Sequence, residues 1–182
     1  MPSAMPRPIH ATIHLEALKH NLAVLRARAQ DARVWAVVKA NAYGCGIEPA
    51  VEALSAAGCK TFFVALPEEG MRVKKTAPAS RCFVLNGLFE EAAPYYRDAG
   101  LTPILGSVPE LQVWARHARL MGTPLPCAIH MDSGMNRLGM EPAEWAALRD
   151  VAPPLATPDR PALAAFPSLR PDCAPGCGIP GP

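Results

Sequence analysis

Val34-Trp35-Ala36-Val37-Val38-Lys39-Ala40-Asn41-Ala42-Tyr43-Gly44-Cys45-Gly46 runs from an apolar, β-branched segment into a turn closed by two glycines. Alternation along 34–40 predicts a strand that carries Lys39 on the face of Trp35 and Val37, pointing into an apolar interior. Burial costs an ammonium its hydration and favours the neutral amine, the form able to condense with an aldehyde. A strand-end lysine can equally snorkel to solvent, so spacing alone leaves both roles open. The turn that follows leads into a helix starting near Ile47, a geometry that exposes backbone amides and suits the close approach of an anion.

Working outward, the chain repeats one pattern of apolar run, turn, amphipathic stretch and glycine. Strand-like runs fall at 34–40, 61–66, 81–85, 102–105 and 127–132. Helix-like stretches lie near 48–57, 67–75, 89–98 and 108–121, three of them stopping at Gly58, Gly100 and Gly122. Ser107 followed by Pro109 and Glu110 predicts a capping box. An earlier helix, 16–29, carries Leu18, Leu22 and Leu25 on one face, and a last one spans 142–149. Successive βα units of this spacing predict a parallel sheet, either open and doubly wound or part of an eight-stranded barrel. No Gly-x-Gly-x-x-Gly follows the first strand, which removes the main support for a dinucleotide site.

A second constellation closes the fifth strand: His130-Met131-Asp132-Ser133-Gly134-Met135-Asn136-Arg137-Leu138-Gly139. It leaves a strand at its carboxyl end, where an α/β barrel assembles its active site. The planar fork of Arg137 suits a carboxylate or a phenolate oxygen.

Composition bounds the rest. The 182 residues are half hydrophobic and 19% charged, with 18 Lys and Arg against 16 Asp and Glu. A net charge of +2 without a basic run argues against nucleic acid. Prolines interrupt the amino terminus where a signal peptide needs an apolar stretch, and no segment approaches membrane-spanning length, so a cytoplasmic protein is expected. Six scattered cysteines lack paired metal spacing and read as buried thiols, so no metal site is expected.

Ala36 to Gly44 resembles the pyridoxal-phosphate lysine motif of bacterial alanine racemases, and His130 to Gly139 resembles a second signature of that family. The lead-in from Ala11 to Arg26 is similar to the family's amino terminus. The resemblance covers about residues 9–150. It implies an α/β fold that is a partial TIM (β/α)8 barrel, with about five of the eight βα units present. It also implies an isomerase that interconverts L- and D-alanine, supplying D-alanine for peptidoglycan, with pyridoxal 5′-phosphate as cofactor and a homodimer as the full-length assembly. Carried over, Lys39 would hold the cofactor covalently and act as one of two catalytic bases. Tyr43 would contact the cofactor phosphate, and Arg137 would hold the phenolic oxygen and help hold the substrate carboxylate. Cys45 stands where the family commonly has histidine.

Near residue 150 the composition changes. Twelve prolines fall in the first 150 residues and nine in the last 32, where only four residues are charged. Residues 151–182 are therefore read as a Pro-rich tail, disordered or out of frame, and the whole as a truncated or frameshifted racemase of doubtful activity. The family's second base is a partner-subunit tyrosine from a later domain. The tyrosines here are Tyr43, Tyr95 and Tyr96, and the last two read as packing or surface residues. The alternatives are a non-catalytic pyridoxal-phosphate-binding protein and an inactive fragment.

Overall fold

Each apolar run read as a strand pairs with its successor. The computed structural model describes residues 10–132, 134–144 and 146, together with the backbone of 163–167. Its elements are α1 (Leu15–Arg28), β1 (Ala36–Val37), α2 (Lys39–Tyr43), α3 (Ile47–Ala56), β2 (Thr61–Val64), α4 (Pro67–Thr76), β3 (Arg81–Val84), a 3-10 turn (Glu90–Ala92), α5 (Ala93–Asp98), β4 (Thr102–Leu105), α6 (Val108–Met121), β5 (Cys127–Met131) and β6 (Leu163–Pro167). All neighbouring strands are parallel, in the order β1-β2-β3-β4-β5-β6. A doubly wound sheet reverses direction part-way; this one advances by one strand each time, the winding of a (β/α)8 barrel. The order thus settles what periodicity left open.

Alternation along the strands separates two cores. Phe62, Val64, Val84, Leu105 and Ile129 are essentially inaccessible and pack outward against helix residues such as Val51, Val73 and Trp114. Burying each of these side chains contributes about 1.5–3 kcal/mol relative to exposure. Phe63, Phe83, Ile104 and Ala128 form the inner face with Trp35 and Leu85. There the rings of Trp35, Phe63 and Phe83 stack, with centroids 5.6 Å (Trp35 to Phe63) and 5.1 Å (Phe63 to Phe83) apart. Val37 lies on the same alternating face and is 44% exposed, an apolar side chain of the barrel interior that no described residue covers.

Four details differ from the sequence reading. The first strand is two residues long rather than seven, although Val38 N–H still donates to Phe63 O at 2.8 Å. Ladder pairing stops there because Ala40 to Tyr43 turn left-handed, with φ between 52° and 54°. The stretch 89–98 is a 3-10 turn followed by α5, because Pro94 supplies no amide and restricts the residue before it. The capping box at α6 is half formed: Ser107 Oγ accepts the Glu110 N–H at 3.4 Å, but the Glu110 carboxylate reaches past the N-cap to Gly106 N–H at 2.6 Å. Finally, Leu163–Pro167 is a strand paired with β5, within a tail read as lacking any element. The exposed edge of β5 presents a row of N–H and C=O groups that any extended segment can satisfy. The rest of the reading for 151–182 lies outside the described residues. So do most of the helix expected at 142–149, of which 142–144 and 146 are helical, and Cys173 and Cys177.

Other expectations hold. Gly58, Gly100 and Gly122 stand at positive φ just past α3, α5 and α6. Cys59, Cys82 and Cys127 are buried free thiols, and Cys45 is half-buried.

Candidate active site

Lys39 is the second residue past β1, after Val38, at the carboxyl end of the sheet, and is half-buried. Among the described residues its amine makes no hydrogen bond or ion pair. The turn behind it is unusual: Ala40, Asn41, Ala42 and Tyr43 adopt consecutive left-handed conformations, each disfavoured for an L-residue with a Cβ by about 1–2 kcal/mol. Such a turn persists only where its surroundings over-determine it.

The surroundings do so through side chains of α4 and the turn's own amides. Glu69 Oε1 accepts the Ala40 N–H at 2.6 Å, and its Oε2 accepts Ala65 N–H at 2.9 Å and Leu66 N–H at 3.2 Å. Leu66 is the N-cap of α4 and has no side-chain acceptor, so only the Glu69 half of a capping box exists there. Asn41 Oδ1 accepts Ile47 N–H at 3.1 Å and Arg72 Nη2 at 2.9 Å. Arg72 also forks onto Glu48, with 2.7 Å contacts from both Nε and Nη2. The Arg72 guanidinium holds the Glu48 carboxyl down at about 2.

The expectation that this turn offers its amides to an anion needs correction. Gly44 N–H donates to Ala40 O and Asn41 O, Cys45 N–H to Ala42 O, Gly46 N–H to Asn41 O, and Ile47 N–H to Asn41 Oδ1. The left-handed winding turns these donors inward. What the turn presents outward is the Tyr43 side chain, 65% exposed.

The second group gathers at the ends of β3, β4 and β5. A cleft of about 320 Å³ is lined by Leu85, Gly106, Glu110, His130, Leu138 and Gly139, among others. His130 continues the inner-face alternation of Ala128 and is half-buried; burial pushes its imidazole below the usual value, Asp132 opposes that, and Arg137 adds to it. The loop after β5 closes on itself: Asp132 N–H donates to Met140 O at 2.9 Å, and Met140 N–H to His130 O at 2.8 Å. Arg137 rides this loop, exposed.

Lys39 and Tyr43 therefore share one turn, whereas Arg137 sits on the β5 loop with three strands between. Among the described residues no hydrogen bond or ion pair joins the two groups. Sequence reasoning missed Glu69 and read Glu110 only as a capping residue. Each is the third residue of a helix, and each crosses to a neighbouring strand end, which helix capping does not anticipate. No described helix is long and apolar enough to cross a membrane, and no cluster of three metal-ligating side chains occurs among the described residues.

Comparison with known proteins bears on the whole arrangement. The family described as alanine racemase, N-terminal domain, matches residues 13–154. This chain belongs to that family. The alanine racemase of Methylobacterium sp. strain 4-46 is 46% identical over 158 residues, covering 84% of this chain and 43% of the relative. That of Rhodospirillum rubrum is 42% identical over 147 residues, covering 80% and 39%. The crystal structure of the Bartonella henselae alanine racemase with covalently bound pyridoxal phosphate superposes with a TM-score of 0.72 at 33% identity, over 76% of this chain and 39% of that one. The biosynthetic alanine racemase of Pseudomonas aeruginosa gives 0.71 at 27% identity, over 86% and 42%. The chain thus spans about two fifths of the length of these relatives. The match ends at 154, close to the change in composition near residue 150.

Proposed function

We propose that this chain carries the lysine-bearing part of a pyridoxal-phosphate-dependent racemase that interconverts L- and D-alanine. One observation carries the reading: Lys39 is a half-buried primary amine at the carboxyl end of a barrel strand, without a counter-ion among the described residues. That placement fits an aldehyde-bearing cofactor, because an uncommitted primary amine at the mouth of a barrel is the group that condenses with an aldehyde. The relatives' names and the covalently bound cofactor of the Bartonella protein support it.

Lys39 would hold the cofactor through Nζ. Tyr43 would turn its exposed phenol toward the phosphate, for which the turn's amides from 44 to 47 are already committed. Arg137 would hold the ring's phenolic oxygen and the substrate carboxylate with its forked donors. When bound, pyridoxal phosphate supplies an electron sink for charge developing at the substrate α-carbon. Lys39 Nζ then takes or returns the α-proton on one face.

Racemisation needs a second acid/base group on the opposite face. Tyr96 does not supply it: the side chain is buried, its hydroxyl donates to Gly87 O at 2.8 Å, and burial pushes its phenol up to about 12. Tyr95 projects from α5 and is 68% exposed. We assign the second group to the part of the racemase that the relatives have beyond the matched span. A cytoplasmic location, a homodimer and supply of D-alanine for peptidoglycan belong to the same proposal. Because the described residues supply one base, a second reading is that the chain holds the cofactor without turnover.

The test is to incubate the full chain with pyridoxal phosphate, reduce with borohydride and map adducts by peptide mass. An adduct confined to Lys39 and lost in Lys39→Ala supports the reading; labelling spread over Lys19, Lys60, Lys74 and Lys75 overturns it. Conversion of L- to D-alanine then separates racemase from holder.

A further inference from the structure

We propose that Glu69 is a positioning residue for Lys39, clamping the carboxyl ends of β1 and β2 so that the left-handed turn behind the lysine keeps one geometry. This rests on the functional reading for its consequence and on the hydrogen bonds alone for its structural part. Ala40 N–H is the first amide after Lys39, and ladder pairing of β1 has already ended at Val38. Its acceptor is Glu69 Oε1 at 2.6 Å, a short, charge-assisted bond, while Oε2 holds Ala65 and Leu66, just past the end of β2. One carboxylate therefore fixes the lysine's backbone against a strand of the sheet.

Helix α4 grips the same turn twice. One helical turn beyond Glu69, Arg72 reaches Asn41 Oδ1 at 2.9 Å, so consecutive turn residues, Ala40 and Asn41, are each tied to α4. Gly70, between them, lets α4 pack closely against Leu101, whose Cδ2 a Cβ there would meet at 2.8 Å. The device recurs two units on, where Glu110 holds Gly106 N–H at 2.6 Å and Leu88 N–H at 3.4 Å. No lysine follows that clamp, which makes it a built-in comparison. Both glutamates are third in their helix.

The test uses the full chain and two readouts. Amide hydrogen exchange at Ala40, Ala65 and Leu66 reports the clamp without any cofactor, and the borohydride-trapped distribution of pyridoxal phosphate among lysines reports its consequence. In Glu69→Gln one acceptor remains, and it keeps the two bonds to Ala65 and Leu66, so the new NH2 faces the Ala40 N–H; exchange at Ala40 is expected to rise at least tenfold, and the preference for Lys39 over Lys60 and Lys75 to fall at least tenfold. Glu110→Gln should leave the Ala40 exchange and the Lys39 preference in place. Unchanged Ala40 exchange in Glu69→Gln overturns the clamp. Faster exchange with an intact Lys39 preference overturns positioning, leaving a purely structural bond, as does an equal loss of preference in Glu110→Gln. A wild-type chain unlabelled at Lys39 overturns the functional reading, and the exchange measurement still decides the clamp. If Glu69→Gln does not fold, Glu69→Asp, one methylene short, carries the same measurements.

Discussion

Both carboxylate oxygens of Asp132 accept the backbone N–H of Asn136, at 3.1 and 3.0 Å, and one of them also takes the Gly134 N–H at 2.9 Å. Asn136 sits at φ 54°, so the aspartate holds a left-handed residue in place immediately before Arg137. The two loops that carry the candidate site thus use one device, a side-chain acceptor that satisfies amides turned inward by left-handed backbone.

Asp132→Ala removes the acceptor for two loop amides while leaving the Asp132 N–H to Met140 O bond intact. Because the loop is partly exposed, water replaces some of what is lost, and the expected cost is about 1 kcal/mol in urea unfolding. Exchange at Gly134 and Asn136 should accelerate while Met140, bonded to His130 O, stays protected. An equal rise at all three would mean that the base of the loop, not the carboxylate, sets its order.

Gly139→Ala attacks the same loop from its other end. At φ 105° an added Cβ meets Asp132 N at 2.9 Å and His130 O at 3.1 Å, both of them backbone atoms that cannot swing aside. The strained conformation and the contact together should cost about 1–3 kcal/mol. Thermal unfolding checks this; an unchanged midpoint would mean that the loop does not close on β5 as the Met131 to Met140 bridge requires.

Much of this arrangement was legible in the sequence, because the signals were local. Strands β2 to β5 begin at the residues where apolar runs meet turn residues, and Gly58, Gly100 and Gly122 end helices for a conformational reason that glycine alone meets cheaply. What escaped was non-local. Glu69 looks like an ordinary first-turn acid until Ala40, 29 positions away, is seen to donate to it. The left-handed run at Ala40 to Tyr43 escaped for a related reason: alanine and tyrosine carry no signal for positive φ, and the bonds that keep them there come from α4 and from the turn's own amides. Leu163–Pro167 reads as loop by composition, and its strand is borrowed from the open edge of β5.

Thiol chemistry separates the cysteines by environment. Burial pushes the Cys82 thiol up to about 12 and that of Cys127 up to about 11, so neither offers thiolate at pH 8, and Cys59 is buried with its Sγ on Thr61 O at 3.3 Å. Cys45 is half-buried beside the Lys39 turn. Alkylation at pH 8 followed by peptide mapping should label Cys45 at least tenfold faster than Cys59, Cys82 and Cys127. Equal rates at all four would mean that the outer core opens on the timescale of the reaction.

His130 predicts a pH dependence whose sign follows from its environment. Burial lowers its folded value below the ordinary 6.5, and Arg137 pushes the same way against Asp132. In the unfolded chain the imidazole titrates near 6.5, so below that pH the unfolded state holds a proton that the folded state refuses. Stability from this group is full above 6.5 and is lost as pH falls, until the folded imidazole protonates too. The slope it adds is at most about 1.4 kcal/mol per pH unit. His130→Gln keeps a polar side chain without the titration, so its urea midpoint should fall less than wild type between pH 7 and pH 5. Arg137→Gln, by removing the neighbouring positive charge, should raise the His130 value seen by proton NMR. Parallel pH profiles for wild type and His130→Gln would place the imidazole in water rather than at the barrel's inner face.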